Sequence, residues 1–320
     1  MKTVKEYSRI VNNAIAALAY EEPASLYDPV RYTMEGQGKR LRPVLTLAVA
    51  DAMQADVEKA VMPAVGVELY HNFTLLHDDI MDNSPTRRGR QAVWKRWSQA
   101  QAILSGDAMF SVAMDCMVRS GYSAGVRLSM IECFNSTALA VDRGQQFDMD
   151  FESRADVTLD EYIEMISLKT GALLAGACVV GAICGDASDS VRDAFRAYGI
   201  NLGIAFQIQD DILDVYGNEA TLGKPIGGDI LNDKHTWLHI QAMTEDYAGM
   251  TDVYDRGLAG DEKISAVRAV YDRLSLREKA DREVECYLRY AIDALAGIGL
   301  PADAAQFFTD FARSLIGRNK

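Results

Sequence analysis

The sequence lacks several features that mark familiar classes of protein. It has five cysteines among 320 residues and no Cys-x-x-Cys pair, which indicates reduced thiols and not a disulfide framework. Positive charge is in short supply, because 33 Lys and Arg stand against 46 Asp and Glu and leave a net charge of −13. This charge argues against nucleic acid and against anionic membrane surfaces as partners.

Long hydrophobic runs are scarce as well. The longest apolar stretch runs from Ala172 to Cys184 and has 13 residues, which is too short to span a bilayer. Residues 1–6 show no apolar core of a signal peptide. We therefore expect a cytoplasmic protein without a membrane span. The same stretch is rich in Gly and Ala, which favours a central helix that its neighbours approach closely, although an ordinary buried helix would share that composition.

Strand patterns and linkers are also missing. Helical periodicity dominates, and the seven prolines lie between or at the starts of the periodic segments. No Ser/Gly/Pro-rich segment divides the chain, so we expect an all-α fold in one domain, residues 1–320. The segments predicted as helices lie near 2–20, 41–54, 64–83, 92–119, 124–148, 159–184, 188–216, 230–246, 261–274, 277–297 and 301–317.

What the sequence does contain is the pattern Asp-Asp-x-x-Asp, twice. The first acidic pentad is Asp78, Asp79 and Asp82, and the second is Asp210, Asp211 and Asp214. On a helix the first and last Asp share a face. Such crowded carboxylates repel each other unless a cation lies among them, and Mg²⁺ binds carboxylates together with substrate phosphates. A solvated helix end is the alternative, but each pentad follows an apolar run, and we predict a paired metal site that grips one polyanion.

Basic residues follow each pentad. The run Arg87-Arg88-Gly89-Arg90 comes shortly after the first, and Lys224 and Lys234 come after the second. Two further basic sites are Lys169, beside Thr170, and the segment 38–43, Gly-Lys-Arg-Leu-Arg-Pro. Lys and Arg bind phosphate oxygens, and glycines let backbone N–H groups approach an anion. A diphosphate held by Mg²⁺ requires acidic residues to bind the metal and basic residues to bind the phosphate oxygens, and in this chain basic residues follow each acidic pentad.

These motifs resemble those of the trans-isoprenyl diphosphate synthases, the polyprenyl synthetase family. The resemblance extends from about Gly36 to Thr236 and departs from the family's pattern at Gln37, where a Gly is usual. It rests on the segments 38–43, 71–82, 87–89, 106–108 (Gly-Asp-Ala), 144–145 (Gly-Gln), 169–171, 206–214 and 223–225.

The resemblance implies a fold and a reaction. The fold would be a single large helical bundle of the isoprenoid synthase type, with a central cavity between the two Asp-rich helices. The reaction would be the Mg²⁺-dependent, head-to-tail, all-trans condensation of isopentenyl diphosphate with an allylic diphosphate. The enzyme would be a homodimer with more than one Mg²⁺ per active site.

The resemblance also assigns roles to single residues. Asp78, Asp82 and Asp210 would ligate Mg²⁺, with Asp79, Asp211 and Asp214 in support. The allylic diphosphate would contact Arg87, Lys169, Lys224 and Lys234. Isopentenyl diphosphate would be held by Lys39, Arg42, His71 and Arg88. Carbocation charge would be stabilised by Thr170 and Gln207. We interpret His77 as a structural residue.

Product length depends on the helix that carries the first pentad. At about 100° per residue, Thr74 and Tyr70 fall near the stripe of Asp78, whereas Phe73 does not. In the family, however, a bulky aromatic residue five positions before the first Asp commonly limits elongation, and Phe73 occupies that position. This resembles short-chain enzymes with a geranylgeranyl product, or alternatively a farnesyl or longer product. Phe73 as an ordinary core residue remains open.

Two rival functions remain at this stage. A terpene cyclase shares the first acidic motif but usually has a different second one, and it lacks basic residues for a second diphosphate. A non-catalytic partner subunit of a prenyl synthase usually loses an acidic motif. Both pentads are complete in this chain, and Lys39 and Arg42 are present, which favours the synthase.

Overall fold

The computed structural model describes residues 1–20, 22–36, 38–217 and 226–317. Helices dominate this part of the chain, and the predicted all-α class is confirmed. The helices are α1 (Val4–Ala16), α2 (Ala24–Met34), α3 (Leu41–Ala52), α4 (Val57–Met81), α5 (Val93–Arg96), α6 (Gln99–Val118), α7 (Ala124–Phe151), α8 (Leu159–Ile166), α9 (Ala172–Cys184), α10 (Asp189–Tyr216), α11 (Gly228–Leu231), α12 (Trp237–Glu245), α13 (Tyr247–Asp255), α14 (Gly260–Arg273), α15 (Leu276–Ala294) and α16 (Ala302–Ile316). A π-helical turn, Ser167–Gly171, joins α8 to α9.

Two prolines lie inside helices, where the sequence did not predict them. Helix α2 was not predicted at all and contains Pro29. Helix α4 begins at Val57, where the side chain of Asp56 caps it, and it continues through Pro63. Both prolines are buried. Burial of an apolar helix face can outweigh the lost backbone hydrogen bond, so the expectation that prolines lie only between or at the starts of helices was wrong here.

A small β-hairpin follows α4 and was likewise not predicted. Its strands, β1 (Thr86–Arg87) and β2 (Arg90–Gln91), are antiparallel, with Arg87 opposite Arg90. The two turn residues between them, Arg88 and Gly89, have φ values of 52° and 73°. Two positive φ values in succession are typical of a type I′ turn, whose twist suits a tight hairpin. Strands of two residues are too short to show an alternating pattern.

Two compact units emerge from the tertiary contacts, and we describe each by itself. The first comprises residues 1–137, 173–196 and 300–304, and the second comprises residues 138–172, 197–299 and 305–320. The single domain predicted for residues 1–320 remains a prediction.

The core of the first unit contains close helix contacts made possible by glycine. A Cβ on Gly66 of α4 would lie 2.8 Å from the backbone oxygen of Ala113 in α6. A Cβ on Gly181 of α9 would lie 2.4 Å from the backbone oxygen of Thr46 in α3. The contact at Gly181 confirms that a neighbour approaches the Gly/Ala-rich helix closely.

The second unit contains the end of α10 and most of the C-terminal helices. The hydroxyl of Tyr198 donates to the backbone oxygen of Phe308 at 2.9 Å. The hydroxyl of Tyr216, the last residue of α10, donates to Asp272 at 2.9 Å. Residues beyond 250, in which no motif was found, thus hold the end of the helix that carries the second pentad.

One helix reaches the length and hydropathy of a membrane span. Residues Leu159–Cys184 form 26 continuous helical residues, because the π turn joins α8 to the apolar run, and the most apolar 18-residue window among them has a mean hydropathy of 1.8. The expectation that this region is too short was therefore wrong on length alone. Within the most apolar window, 83% of the residues are buried inside the protein, as in a core helix.

Candidate active site

Both acidic pentads lie at the C-terminal ends of long helices. Asp82 is the C-cap of α4, and the second pentad occupies the last two turns of α10. Asp78 and Asp210 are half-buried, whereas Asp82 is exposed. A helix C-terminus carries partial negative charge, so carboxylates there are unfavourable and cations are attracted. Each helix end is therefore suited to bind a cation.

The middle aspartate of the first pentad is held by an arginine. Asp79 is 3% exposed, and its Oδ1 accepts hydrogen bonds from the Nε and NH2 atoms of Arg87 at 2.8 and 2.6 Å. Burial raises the pKa of Asp79, while Arg87 opposes that rise. Arg87, predicted to contact the allylic diphosphate, thus ties the β-hairpin to the end of α4.

The middle aspartate of the second pentad is held by three donors. Asp211 is 4% exposed and accepts hydrogen bonds from the hydroxyl of Tyr162 at 2.6 Å and the backbone N–H of Trp237 at 3.0 Å. The side-chain amide of Gln207 donates to it at 3.3 Å. Burial, with a further contribution from Asp229, raises the pKa of Asp211 to about 7. Its predicted support of a metal ion remains a prediction.

The remaining acidic residues differ in their surroundings, and their predicted role as magnesium ligands stays a prediction. Asp214 is fully buried and accepts a hydrogen bond from the backbone N–H of Asp229 at 3.0 Å. In the described part of the chain, no group of three His, Cys, Asp or Glu side chains is arranged to hold a metal ion. Mg²⁺ usually takes one or two carboxylates and completes its shell with phosphate oxygens and water. Asp78 and Asp82 lie four residues apart on one helix, and their carboxylate oxygens could serve as such ligands.

A cleft in the second unit, with a cavity volume of about 100 Å³, brings several predicted residues together. Its lining includes Lys169, Thr170, Gln207, Asp211, Asp229 and Lys234. The hydroxyl of Thr170 donates to Oε1 of Gln207 at 3.0 Å. The ammonium of Lys169 donates to Oδ2 of Asp148 at 2.5 Å. The lysines and the Thr170–Gln207 pair therefore share one cleft, as the resemblance implied.

The π turn places Lys169 and Thr170 in that cleft. A Cβ on Gly144 of α7 would lie 2.3 Å from the backbone nitrogen of Lys169. A Cβ on Gly203 of α10 would touch Gly171, at the end of the turn. Single π turns inside α-helices are frequent at functional sites. Here the turn depends on glycines supplied by two other helices.

The first unit contains a cluster of cationic side chains. NH1 of Arg42 lies 3.1 Å from Nε2 of His71. Burial lowers the pKa of Arg42 to about 10, and burial together with Arg42 and Arg88 keeps the pKa of His71 well below its ordinary value. The Nε atom of Arg42 is buried and has no hydrogen-bond partner among the described residues. A buried, unsatisfied donor amid positive charge is suited to an anion.

The predicted length-controlling residue, Phe73, belongs to a cluster of four aromatic rings. The ring of Phe73 lies 5.5 Å from Tyr70 and 5.6 Å from Phe110 of α6. Phe134 of α7 lies 5.2 Å from Tyr70. Thr74 instead bonds back to the helix, with its hydroxyl donating to the backbone oxygen of His71 at 2.8 Å. Phe73 thus belongs to an aromatic cluster that includes two rings not singled out from the sequence.

The other predicted residues have simpler surroundings. Lys39 is exposed. Nε2 of His77 lies 3.2 Å from the backbone oxygen of Ile103, and its ring fills the space that a Cβ on Gly106 would need. This agrees with a structural role for His77. Lys224 and Gln37 lie outside the described residues.

Sequence reasoning missed several residues that hold the site. Asp148 pairs with Lys169, Tyr162 donates to Asp211, and Glu68 binds Arg40 deep in the first unit. Only Glu68 gave a usable signal, because an acid inside an apolar helical run must find a partner.

Comparison with known proteins agrees with this picture. The polyprenyl synthetase family model matches residues 23–274. A geranylgeranyl diphosphate synthase of Methanosarcina mazei is 39% identical over 275 residues, which cover 85% of this chain and 84% of the relative. A (2E,6E)-farnesyl diphosphate synthase of Mycobacterium tuberculosis is 37% identical over 292 residues, with 88% and 80% covered.

A solved structure gives the same result for the fold. A crystal structure of a geranylgeranyl pyrophosphate synthase superposes with a TM-score of 0.95 at 36% identity, and the match covers 100% of both chains. Sequence and fold therefore agree over nearly the whole length. The chain belongs to the polyprenyl synthetase family and is a trans-prenyltransferase.

Proposed function

We propose that the protein condenses isopentenyl diphosphate with allylic diphosphates and makes geranylgeranyl diphosphate as its main product. The relatives support this, since the names at 35–39% identity include geranylgeranyl and farnesyl diphosphate synthases. The observation that carries the proposal is the contact between Arg42 of α3, which has an unsatisfied buried donor, and His71 of α4, the helix that ends in the first acidic pentad. Two chemically distinct sites, one cationic and one for metal, suit a reaction between two diphosphates.

The reaction begins with loss of the allylic diphosphate. Bound Mg²⁺ would neutralise the charge that develops on this leaving group. We assign the metal to Asp78, Asp82 and Asp210, with Asp79, Asp211 and Asp214 in support. Lys169 and Lys234, together with Lys224 and Arg87, are assigned to the allylic diphosphate. The C–O bond breaks, its electron pair leaves with the diphosphate, and an allylic cation remains.

The second half of the reaction forms the new carbon–carbon bond. Lys39, Arg42, His71 and Arg88 are assigned to the diphosphate of isopentenyl diphosphate, whose double bond attacks the cation. The hydroxyl of Thr170 and the amide oxygen of Gln207 would stabilise the positive charge. Loss of a proton from the former isopentenyl unit to the released diphosphate then restores a double bond, so charge and atoms balance.

Product analysis tests the proposed function. Purified protein is incubated with Mg²⁺, isopentenyl diphosphate and C5, C10 or C15 allylic primers, and the products are separated by chromatography after dephosphorylation. We expect a C20 alcohol. A C15 alcohol, or one longer than C20, would leave the reaction type standing but overturn the product. Release of a hydrocarbon would indicate a cyclase, and no elongation at all would indicate a non-catalytic partner subunit.

The assembly of the protein is a separate proposal. We infer from the family resemblance that two copies form a homodimer. From the lack of linkers and of a signal peptide in the sequence, we infer that residues 1–320 form one domain and that the enzyme acts in the cytoplasm. Light scattering after gel filtration measures the mass of the particle, for which we expect twice 35.2 kDa. Calorimetry with a single unfolding transition would agree with one domain, whereas two separate transitions would contradict it.

A further inference from the structure

Arg40 is a buried arginine whose donors all point into the protein. It is 6% exposed and adopts a left-handed backbone conformation with φ of 50°. Its NH1 donates to Oε1 of Glu68 at 2.8 Å, and its Nε donates to Asn12 at 3.0 Å. Its NH2 donates to the backbone oxygens of Met34 and Gly36 at 2.6 and 3.1 Å. Because these contacts occupy the guanidinium, Arg40 is not itself an anion ligand.

Glu68 continues this chain of contacts along α4. Its Oε1 also accepts a hydrogen bond from the side-chain amide of Asn72 at 3.1 Å. The amide nitrogen of Asn72 donates to the backbone oxygen of Glu68 at 2.8 Å, and its Oδ1 lies 3.4 Å from NH1 of Arg88. Glu68 and Asn72 are 2% and 0% exposed. The path is therefore shielded from solvent from Arg40 to Asn72, and it ends at Arg88, which is exposed.

Arg40 and Glu68 lie close in the chain to residues assigned to isopentenyl diphosphate. Arg40 lies between Lys39 and Arg42, while Glu68 lies one helical turn before His71. The Arg40–Glu68 ion pair thus fixes the start of α3 against α4, where Arg42 meets His71. The side chains that it fixes are those assigned above to isopentenyl diphosphate.

We propose that Arg40 and Glu68 are positioning residues for the isopentenyl diphosphate site, which hold Arg42, His71 and Arg88 in the arrangement that binds the diphosphate. This inference rests on the proposed function. A buried ion pair is poor evidence for stability, since apolar replacements often stabilise as well. Lysine cannot replace Arg40, because it lacks the planar fork that reaches Glu68 and two backbone oxygens together.

Positioning and mere stabilisation predict different kinetics. A stabilising pair changes the amount of folded enzyme and affects both substrates alike. A positioning pair changes the KM of one substrate only. For Arg40→Lys and Glu68→Gln we expect the KM for isopentenyl diphosphate to rise roughly tenfold or more, while the KM for the allylic diphosphate stays within about twofold.

The double variant Arg40→Met/Glu68→Leu keeps the test decisive if single variants fold poorly. Removing both charges restores stability in the usual case, but it does not restore the bonds to Met34 and Gly36. We expect its melting temperature to recover while the KM for isopentenyl diphosphate stays high. Recovery of that KM together with stability would overturn the inference. Lys279→Gln, which breaks a remote ion pair with Glu245 at 2.5 Å, is the matched control.

Calorimetric titration of isopentenyl diphosphate separates this inference from the proposed function. Weaker binding by the Arg40 and Glu68 variants supports the positioning role even if the wild-type protein fails to elongate any primer. Unchanged binding and unchanged KM values in an active enzyme overturn the positioning role alone. A wild-type protein that binds no isopentenyl diphosphate overturns both.

Discussion

A Cβ atom on Gly203 would lie 2.4 Å from the Cα of Gly171 and 2.9 Å from its nitrogen. No side chain fits in that space, and the obstacle is backbone, which cannot rotate away. Gly171 is the last residue of the π turn that carries Lys169 and Thr170. The contact between two glycines therefore determines where two residues assigned to the reaction can lie.

Replacing Gly203 by alanine is expected to impair turnover beyond its cost in stability. Pushing α10 away from the π turn displaces Thr170 from Gln207, and a shift of about 1 Å can cost up to roughly a hundredfold in rate. Overpacking costs about 1–3 kcal/mol in the free energy of unfolding. We expect kcat, measured well below the melting temperature, to fall at least about tenfold.

Two glycine variants serve as controls for this prediction. Gly176→Ala places a Cβ 2.5 Å from Oγ1 of Thr137, so it should lower stability and leave kcat of the folded enzyme unchanged. Gly297→Ala meets no atom within 4 Å and should change neither. A kcat for Gly203→Ala as high as that of Gly176→Ala would contradict a special role of the π turn.

The aspartates of the first pentad are expected to differ in their dependence on Mg²⁺. Asp78→Asn removes a proposed ligand, so activity at saturating Mg²⁺ should fall at least about a hundredfold and require more Mg²⁺. Asp210→Asn should behave similarly. Asp79→Asn should shift the Mg²⁺ requirement far less, because Asp79 already accepts two hydrogen bonds from Arg87. The measurement is activity against Mg²⁺ concentration, with the surface variant Asp115→Asn as the control.

Equal effects of Asp78→Asn and Asp79→Asn would refute this distinction. It would then follow that Asp79 leaves Arg87 when metal binds. Circular dichroism of each variant without metal should match that of the wild type, because none of these substitutions removes buried apolar surface.

Burial of Asp211 predicts a dependence of stability on pH in metal-free protein. Its pKa is raised from 3.8 to about 7, so the folded state keeps a proton that the unfolded state releases. The free energy of unfolding should therefore be highest below about pH 4 with respect to this group and fall as pH rises to about 7. The full effect of about three pH units is at most about 4 kcal/mol.

Asp211→Asn isolates this contribution, because an amide resembles the protonated carboxyl. We expect the difference in unfolding free energy between variant and wild type to grow in favour of the variant from about pH 4 to 7. Urea titrations in EDTA at several pH values measure it. A difference that does not change with pH would show that Asp211 is ionised throughout.

Removing the ring of Phe73 is expected to lengthen the product. Phe73 touches Tyr70 and Phe110, so Phe73→Ala opens space within the aromatic cluster. We expect at least one additional C5 unit in the main product, read by chromatography of the dephosphorylated chains. Phe110→Ala should have the same direction of effect, whereas Phe308→Leu, in the other unit, should have none. Unchanged products from Phe73→Ala would leave Phe73 as a core residue.

The residues that carry the proposed chemistry could be predicted from the sequence, whereas the residues that hold them in place could not. Acidic pentads and Lys-Thr-Gly can be recognised locally, because charge and spacing along one helix define them. The partner of Asp211, Tyr162, lies 49 residues away, and nothing in the local sequence of either residue indicates the pairing. The π turn is similar: Ser167–Gly171 reads as ordinary helix, and its shape depends on Gly144 and Gly203 in other helices.

Helix boundaries were predicted where the periodic pattern has clear ends. Helix α8 begins after Thr158, which forms a capping box with Glu161, and the predicted start at residue 159 is confirmed. The start of α4 was placed seven residues late, at 64 and not at Val57, because Pro63 was read as a boundary. Local propensity could not reveal that α4 buries this proline in the core.

The apolar helix Leu159–Cys184 has a consequence for how the chain is made. By composition, its most apolar 18-residue window, with a mean hydropathy of 1.8, resembles a membrane-spanning segment. This helix is shielded from water and lipid only when neighbouring helices pack against it, as α3 does at Gly181. Until then a newly synthesised chain exposes this apolar segment, and we expect substitutions that delay its packing to lower the yield of folded protein.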